Sequence, residues 1–166
     1  MYRTINDFLE DWKHESELTL KVFNNLTRES LGQKVTNDGR SLGKLAWHIT
    51  LSNPEMLTHS GLPADTFDES QPVPDKPEDI VNEYERTSKL VGQVVSDNWK
   101  DENLSDELNI YGQVWKKSTV LKSLIMHQAH HRAQMTVLMR QAGLKVPGIY
   151  GPSKEEWEAM GMQAQK

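Results

Sequence analysis

Three of the six histidines fall within eight residues, His127-Gln128-Ala129-His130-His131-Arg132-Ala133-Gln134. Neutral imidazole can move protons near neutral pH and is a common ligand of divalent metals. The stretch lies in a helical pattern from about Ser118 to Ala142, with no Gly or Pro before Gly143. Advancing about 100° per residue puts Val120, Leu124, Met135, Leu138 and Ala142 on one stripe. His131 falls near its centre and His127 on its edge one turn earlier, while His130 leaves the helix well off the stripe. His127 and His131 are thus spaced i, i+4, which sets their Cβ atoms about 5–6 Å apart. Two imidazoles on an apolar face need partners, because an unpaired buried polar group costs about 1–3 kcal/mol. A metal ion satisfies both at once.

A third ligand must come from a facing helix. The remaining histidines are His14, His48 and His59. His48 sits in an apolar segment with Leu45, Trp47 and Ile49. His14 lies between Lys13 and Glu15 in the most polar part of its helix, and His59 stands beyond Pro54 near Gly61. The pattern selects His48 as the third ligand, the other reading of this residue being a satisfied core or surface histidine. Three neutral imidazoles with an open position suit Zn(II), Ni(II) or Fe(II). No Glu follows His127, which removes the metalloprotease motif. Gln134, one turn past His131, reads first as a helix-packing amide and second as a group that orients a bound water or substrate. Arg132 points away from the histidine pair and reads as an interface or surface ion pair.

The elements that must hold these residues are four long amphipathic helices. The first starts at Thr4 as cap and runs to near Arg28, with Ile5, Phe8, Leu9, Trp12, Leu18, Val22, Phe23 and Leu26 as its stripe. The second is capped by Ser41 and buries Leu42, Leu45, Ile49 and Met56. Asn53-Pro54 predicts a kink or a stop, with any continuation ending before Gly61. Residues 60–77 hold four of the seven prolines and read as a long loop able to rim a site. The third helix spans about Pro77 to Trp99. Leu104 to Ile110 and Gln113 to Lys117, around Tyr111-Gly112, suggest a small hairpin. The fourth helix carries the histidines and ends at Gly143. Ser153-Lys154-Glu155-Glu156 is a capping box for a last short helix. The fold class is all-α, a four-helix bundle with a small hairpin and a short C-terminal helix, in a single domain covering 1–166.

Composition narrows the function. The net charge is −5 and no Lys/Arg cluster is dense enough to follow a phosphate backbone, so nucleic acid is not an expected partner. The mean hydropathy is −0.68, and no apolar run approaches a membrane span. Met1 to Trp12 lacks the pattern of a signal peptide. There is no cysteine, which removes disulfides, Cys-ligated metals and any thiol nucleophile of the protein's own. These features fit a cytoplasmic protein without membrane attachment. Five tryptophans, Trp12, Trp47, Trp99, Trp115 and Trp157, are many for this length; some could cover a partner subunit.

Leu45-Ala46-Trp47-His48-Ile49, then His127-x-x-x-His131-Arg132-Ala133-Gln134, then Val146-Pro147-x-x-Tyr150-Gly151 together resemble the DinB/YfiT family of bacterial four-helix bundles. The resemblance runs in order over nearly the whole chain. It implies an up-down-down-up bundle with a long crossover, often a homodimer. It also implies a divalent metal, nickel or zinc in many members, held here by His48, His127 and His131. The Gly of the family's His-Arg-Gly-Gln form is Ala133, a small-for-small change at no ligand. Some relatives of this kind use low-molecular-weight thiols such as bacillithiol, mycothiol or glutathione in S-transfer or isomerisation. Two functions are expected from this. One is an enzyme whose metal presents a thiol, or water, to a small electrophilic substrate. The other is a non-catalytic metal-binding or stress-response protein. A cavity reaching the metal would favour the first and a closed site the second.

Overall fold

A computed structural model describes residues 2–64 and 70–164. Four long helices make the bundle: α1 (Ile5–Phe23), α2 (Leu42–His59), α3 (Pro77–Asn98) and α4 (Lys117–Gln141). A two-stranded antiparallel hairpin, β1 (Glu107–Ile110) and β2 (Gln113–Lys116), precedes α4, and a short α5 (Lys154–Ala159) follows it.

The apolar stripes fix how the helices run. At one end of the bundle Ile5, Phe8 and Trp12 from the start of α1 meet Met56 and Leu57 from the end of α2. Val94 and Val95 from the end of α3 and Val120, Leu121 and Leu124 from the start of α4 join them. At the other end Val22 and Phe23 of α1 pack with Leu42 and Leu45 of α2, Ile80 and Tyr84 of α3, and Met135 and Leu138 of α4. So α1 and α4 run one way and α2 and α3 the other, which is the up-down-down-up order. Each of α1 and α2 packs on both α3 and α4, leaving α1 diagonal to α2. Because α2 and α3 are parallel neighbours, the Pro-rich segment after His59 is the long crossover that carries the chain back along the bundle.

Local chemistry sets the ends. The Thr4 hydroxyl accepts from the Asp7 amide at α1, and Ser41 accepts from Lys44 at α2. Ser153 and Glu156 form both halves of the capping box at α5. Gly143 has φ 74, and the Leu144 amide reaches back to the Met139 carbonyl, closing α4 in the left-handed C-terminal motif. Tyr111 and Gly112 both have positive φ, as a two-residue hairpin turn requires.

One boundary differs from the sequence pattern, and at Pro54 the expected continuation, ending before Gly61, is the outcome. The first helix stops at Phe23, not near Arg28. Asn25 turns its side-chain amide onto the Lys21 carbonyl, and Thr27 and Ser30 exchange bonds that favour a 3-10 turn over Glu29–Gly32. In α2 the helix continues through Pro54 to His59 and ends before Gly61. Pro54 is buried between bundle neighbours, so packing outweighs the lost backbone bond.

Candidate metal centre

The centre forms where α2 faces α4. His48 comes from α2, and His127 and His131 from successive turns of α4. Their ring nitrogens include one from each residue that all lie within 4.8 Å of one another, a group that could hold a metal ion. The ring centroids are 4.5 to 5.0 Å apart in edge-to-face pairs. His131 is buried and the other two are half-buried, while His130 is exposed. His14 is exposed, and His59 is an exposed partner of Glu55 at 3.1 Å. Both stand apart from the cluster.

Hydrogen bonds orient the rings. The Ser52 hydroxyl donates to the Ile49 carbonyl and lies 3.3 Å from His127 Nδ1, so it accepts from an Nδ1–H. His127 Nε2 is then left with its lone pair, 3.2 Å from His48 Nε2. On His131, Nδ1 donates to the Gln134 side-chain oxygen at 2.8 Å, which again leaves Nε2 as the acceptor. The Gln134 nitrogen in turn donates to His130 Nε2 at 3.1 Å. Gln134 is therefore exposed and bound to a candidate ligand; the packing-amide reading is replaced by an orienting one. Polar groups behind ligand histidines commonly play this part.

The electrostatics keep the site neutral. Burial, followed by the charge of His131, lowers the pKa of His48 to about 4. Burial, then the charges of His131 and His48, lowers that of His127 to about 4 as well. Burial also lowers that of His131, against the opposing effect of its bond to Gln134. Neutral imidazoles with free Nε2 lone pairs are the form that binds metal. Two imidazole nitrogens on one tetrahedral ion are separated by about 3.3 Å, given bonds of about 2.0–2.1 Å. The His48–His127 spacing of 3.2 Å is close to this. A space that narrow between two ring nitrogens holds a proton or a cation, and the donor set fits a divalent ion.

A cavity of about 490 Å³ opens beside His131. Val35, Gly39, Arg40, Leu45, Gln134, Val137 and Leu138 complete its lining. Val35 and Val137 are more than half exposed, so its mouth is at the surface. The rim comes from the 33–41 connection. The described part of the Pro-rich crossover does not line the cavity, and residues 65–69 of that loop lie outside the described residues.

Arg132 departs from its sequence reading most. It is 1% exposed, not a surface ion pair. Its guanidinium donates to the Glu15 carboxylate at 2.6 Å and to Thr19 Oγ1 at 3.0 Å on α1. Tyr150, from the tail after α4, hydrogen-bonds both Glu15 and Arg132. A single apolar stripe could not reveal this. Helix α4 packs on α1 as well as α2, so its buried arc is wide and includes Gln128 and Arg132. Three of the tryptophans, Trp12, Trp47 and Trp99, are core, while Trp115 and Trp157 are partly exposed.

An up-down-down-up bundle with three histidines on facing helices defines a class of helical bundles with a candidate metal centre in the α2–α4 contact. The chain belongs to the DinB family, whose sequence profile matches residues 1–166. It is 42% identical to YrdA of Bacillus subtilis (strain 168) over 166 residues, covering all of this chain and 99% of that protein. A crystal structure of a DinB-like protein from Bacillus cereus ATCC 10987 aligns with TM-score 0.85 at 40% identity, over 90% of this chain and 100% of the other. YfiT from Bacillus subtilis, described as a probable metal-dependent hydrolase with an unusual four-helix bundle topology, aligns with TM-score 0.65. That match is 12% identical, covers 84% of this chain and 87% of YfiT, and shows the shared fold. No helix among the described residues is long and apolar enough to cross a membrane.

Proposed function

We propose that the protein is a metal-dependent enzyme whose His48, His127 and His131 hold one divalent ion, nickel or zinc. A low-molecular-weight thiol, or water, would then attack a small electrophilic substrate. The observation that carries this reading is the convergence of three imidazoles within 4.8 Å. Bound there, a divalent ion would lower the pKa of a coordinated thiol or water and so supply a nucleophile at neutral pH.

The chain's own part is binding and orientation. Ser52 and Gln134 hold His127 and His131 in the tautomer that turns Nε2 inward. The cavity beside His131 gives a small substrate access, which supports turnover over a closed storage site. The absence of cysteine is consistent with a nucleophile brought by the cosubstrate. The description of YfiT as a probable metal-dependent hydrolase supports the water variant.

The test is metal analysis of the purified protein with two assays, thiol addition to a small electrophile and hydrolysis of an activated ester. Metal at one ion per chain with metal-dependent turnover in either assay supports the reading. Stoichiometric metal with no turnover across a broad panel favours the non-catalytic alternative. A homodimer is part of the proposal, supported by the exposed apolar side chains Tyr111 and Val114 at the hairpin and Met126 on α4. A monomeric mass at micromolar concentration in sedimentation would refute it.

A further inference from the structure

The cavity beside His131 is lined largely by aliphatic side chains, Val35, Leu45, Val137 and Leu138, together with the cationic residue Arg40. No Asp or Glu is among the described lining residues. Among the described residues Arg40 forms no ion pair and no side-chain hydrogen bond. The acid nearest in sequence, Asp38, is held by the Thr36 hydroxyl, which lowers its pKa and ties it to its own turn. An Arg fork matches a carboxylate in shape and charge, and the aliphatic side chains of the same cavity match a hydrocarbon segment.

The residue is held in place by an ordered connection. The Leu42 amide donates to the Gln33 carbonyl at 2.8 Å, pinning the two ends of the segment together. Inside it the Gly39 amide closes a turn onto the Thr36 carbonyl at 3.0 Å. A Cβ at Gly39 would stand 3.0 Å from Thr36 Oγ1, so glycine permits the tight turn that delivers Arg40 to the rim. Ser41, the next residue, caps α2, which fixes Arg40 relative to His48 two turns on. The positive charge also reaches the histidines. After burial, the main cause, Arg40 is among the groups that lower the pKa of all three.

We propose that Arg40 is a specificity-determining residue that binds the carboxylate of a small substrate whose aliphatic portion lies on Val35, Val137 and Leu138. With Arg40 as the cationic side chain among its described lining residues, the cavity selects a monoanion over a neutral or cationic analogue. This assignment rests on the proposed function for the identity of the site, because it places the substrate's reactive end toward His131.

The test uses hexanoate, hexanamide and hexylammonium as probes of equal length and different charge. Binding to the full-length protein is followed through the methyl resonances of Val35, Val137 and Leu138, with and without zinc. Hexanoate is expected to bind about fivefold more tightly than hexanamide, as for a partly exposed charge pair, with hexylammonium weakest. Arg40→Gln should bring that ratio to about one, and Arg40→Lys should keep part of it. Equal binding of acid and amide by the wild type overturns the proposal. So does a preference that survives Arg40→Gln in the zinc-free protein, or one that appears only with zinc. Zinc binding is measured on the same samples. Failure of both wild type and Arg40→Gln to take up zinc, with the hexanoate preference present in the wild type and lost in Arg40→Gln, would sink the metal reading and leave the anion site standing.

Discussion

The side-chain oxygen of Gln134 lies 2.8 Å from Nδ1 of His131. This single bond joins the candidate metal centre to the cavity, since both residues line the cavity and one of them belongs to the triad. It also fixes which nitrogen of His131 carries the proton. A substrate entering past Gln134 therefore touches the group that sets the basicity of a ligand.

Replacing Gln134 tests that link. Gln134→Leu removes the acceptor for His131 Nδ1–H, and losses of about 10–100-fold in metal affinity follow from removing such orienting partners. Gln134→Glu keeps an acceptor and should bind metal at least as well as the wild type. Competition with a chromophoric chelator measures both. Equal affinities for the wild type and Gln134→Leu would mean that the amide does not orient the ligand.

The histidines also make stability depend on pH. His48 and His127 each have a pKa of about 4 in the folded protein against an ordinary value of 6.5, chiefly because burial disfavours the charged ring. The unfolded chain then binds more protons between those two values. Their contribution is fully present above pH 6.5 and is lost as pH falls toward 4. Urea midpoints of the metal-free protein should fall across that window. The double variant His48→Gln/His127→Gln should show a shallower slope between pH 6.5 and 5, above the range where carboxylates dominate. Parallel slopes would contradict the neutral-histidine assignment.

The His127 and His131 pair was legible because helical geometry fixes a face from spacing alone, and i, i+4 needs no tertiary information; His48 was picked out by its apolar neighbours and by the family resemblance, and the structure brings the three together. The same device failed at Arg132. It assumes one buried stripe, whereas α4 lies between two neighbours and buries a second arc against α1. Ser52 was within reach, four residues after His48 and so on its face. Arg40 was not, because its place at the cavity depends on a turn and on the crossing of the 33–41 connection over α4. Pro54 carries a related lesson: a local helix-breaking preference yields when both flanking turns are packed in a core.

The buried Arg132–Glu15 pair predicts an asymmetric response to mutation. The two side chains are 2% and 11% exposed, so removing one leaves the other charge stranded. Arg132→Met should cost about 3–5 kcal/mol in urea denaturation. Adding Glu15→Gln should recover much of that loss, because the stranded carboxylate is neutralised. Tyr150→Phe removes only hydrogen bonds to the pair and should cost about 1 kcal/mol. A double variant no more stable than Arg132→Met would place the cost in lost packing and not in the unpaired charge.

Metal content across four single variants decides the centre itself. His48, His127 and His131 each bring a ring nitrogen within 4.8 Å of the others, whereas His130 is exposed on the flank of α4 and accepts from Gln134. His131→Ala should abolish binding, because it removes the most buried of the three ligands and the one that adjoins the cavity. His48→Ala and His127→Ala should each weaken binding severely, since two imidazoles hold a divalent ion poorly. His130→Ala should keep nearly the wild-type content, with at most a small loss through the Gln134 relay. Content is read as ions per chain after dialysis at pH 7.5 and again at pH 4, where protonation of His48 and His127 competes for the same lone pairs and less metal is expected. If His130→Ala empties the site while His127→Ala leaves it full, the ligand has been assigned to the wrong face of α4, and the tautomer argument built on Ser52 and His127 falls with it.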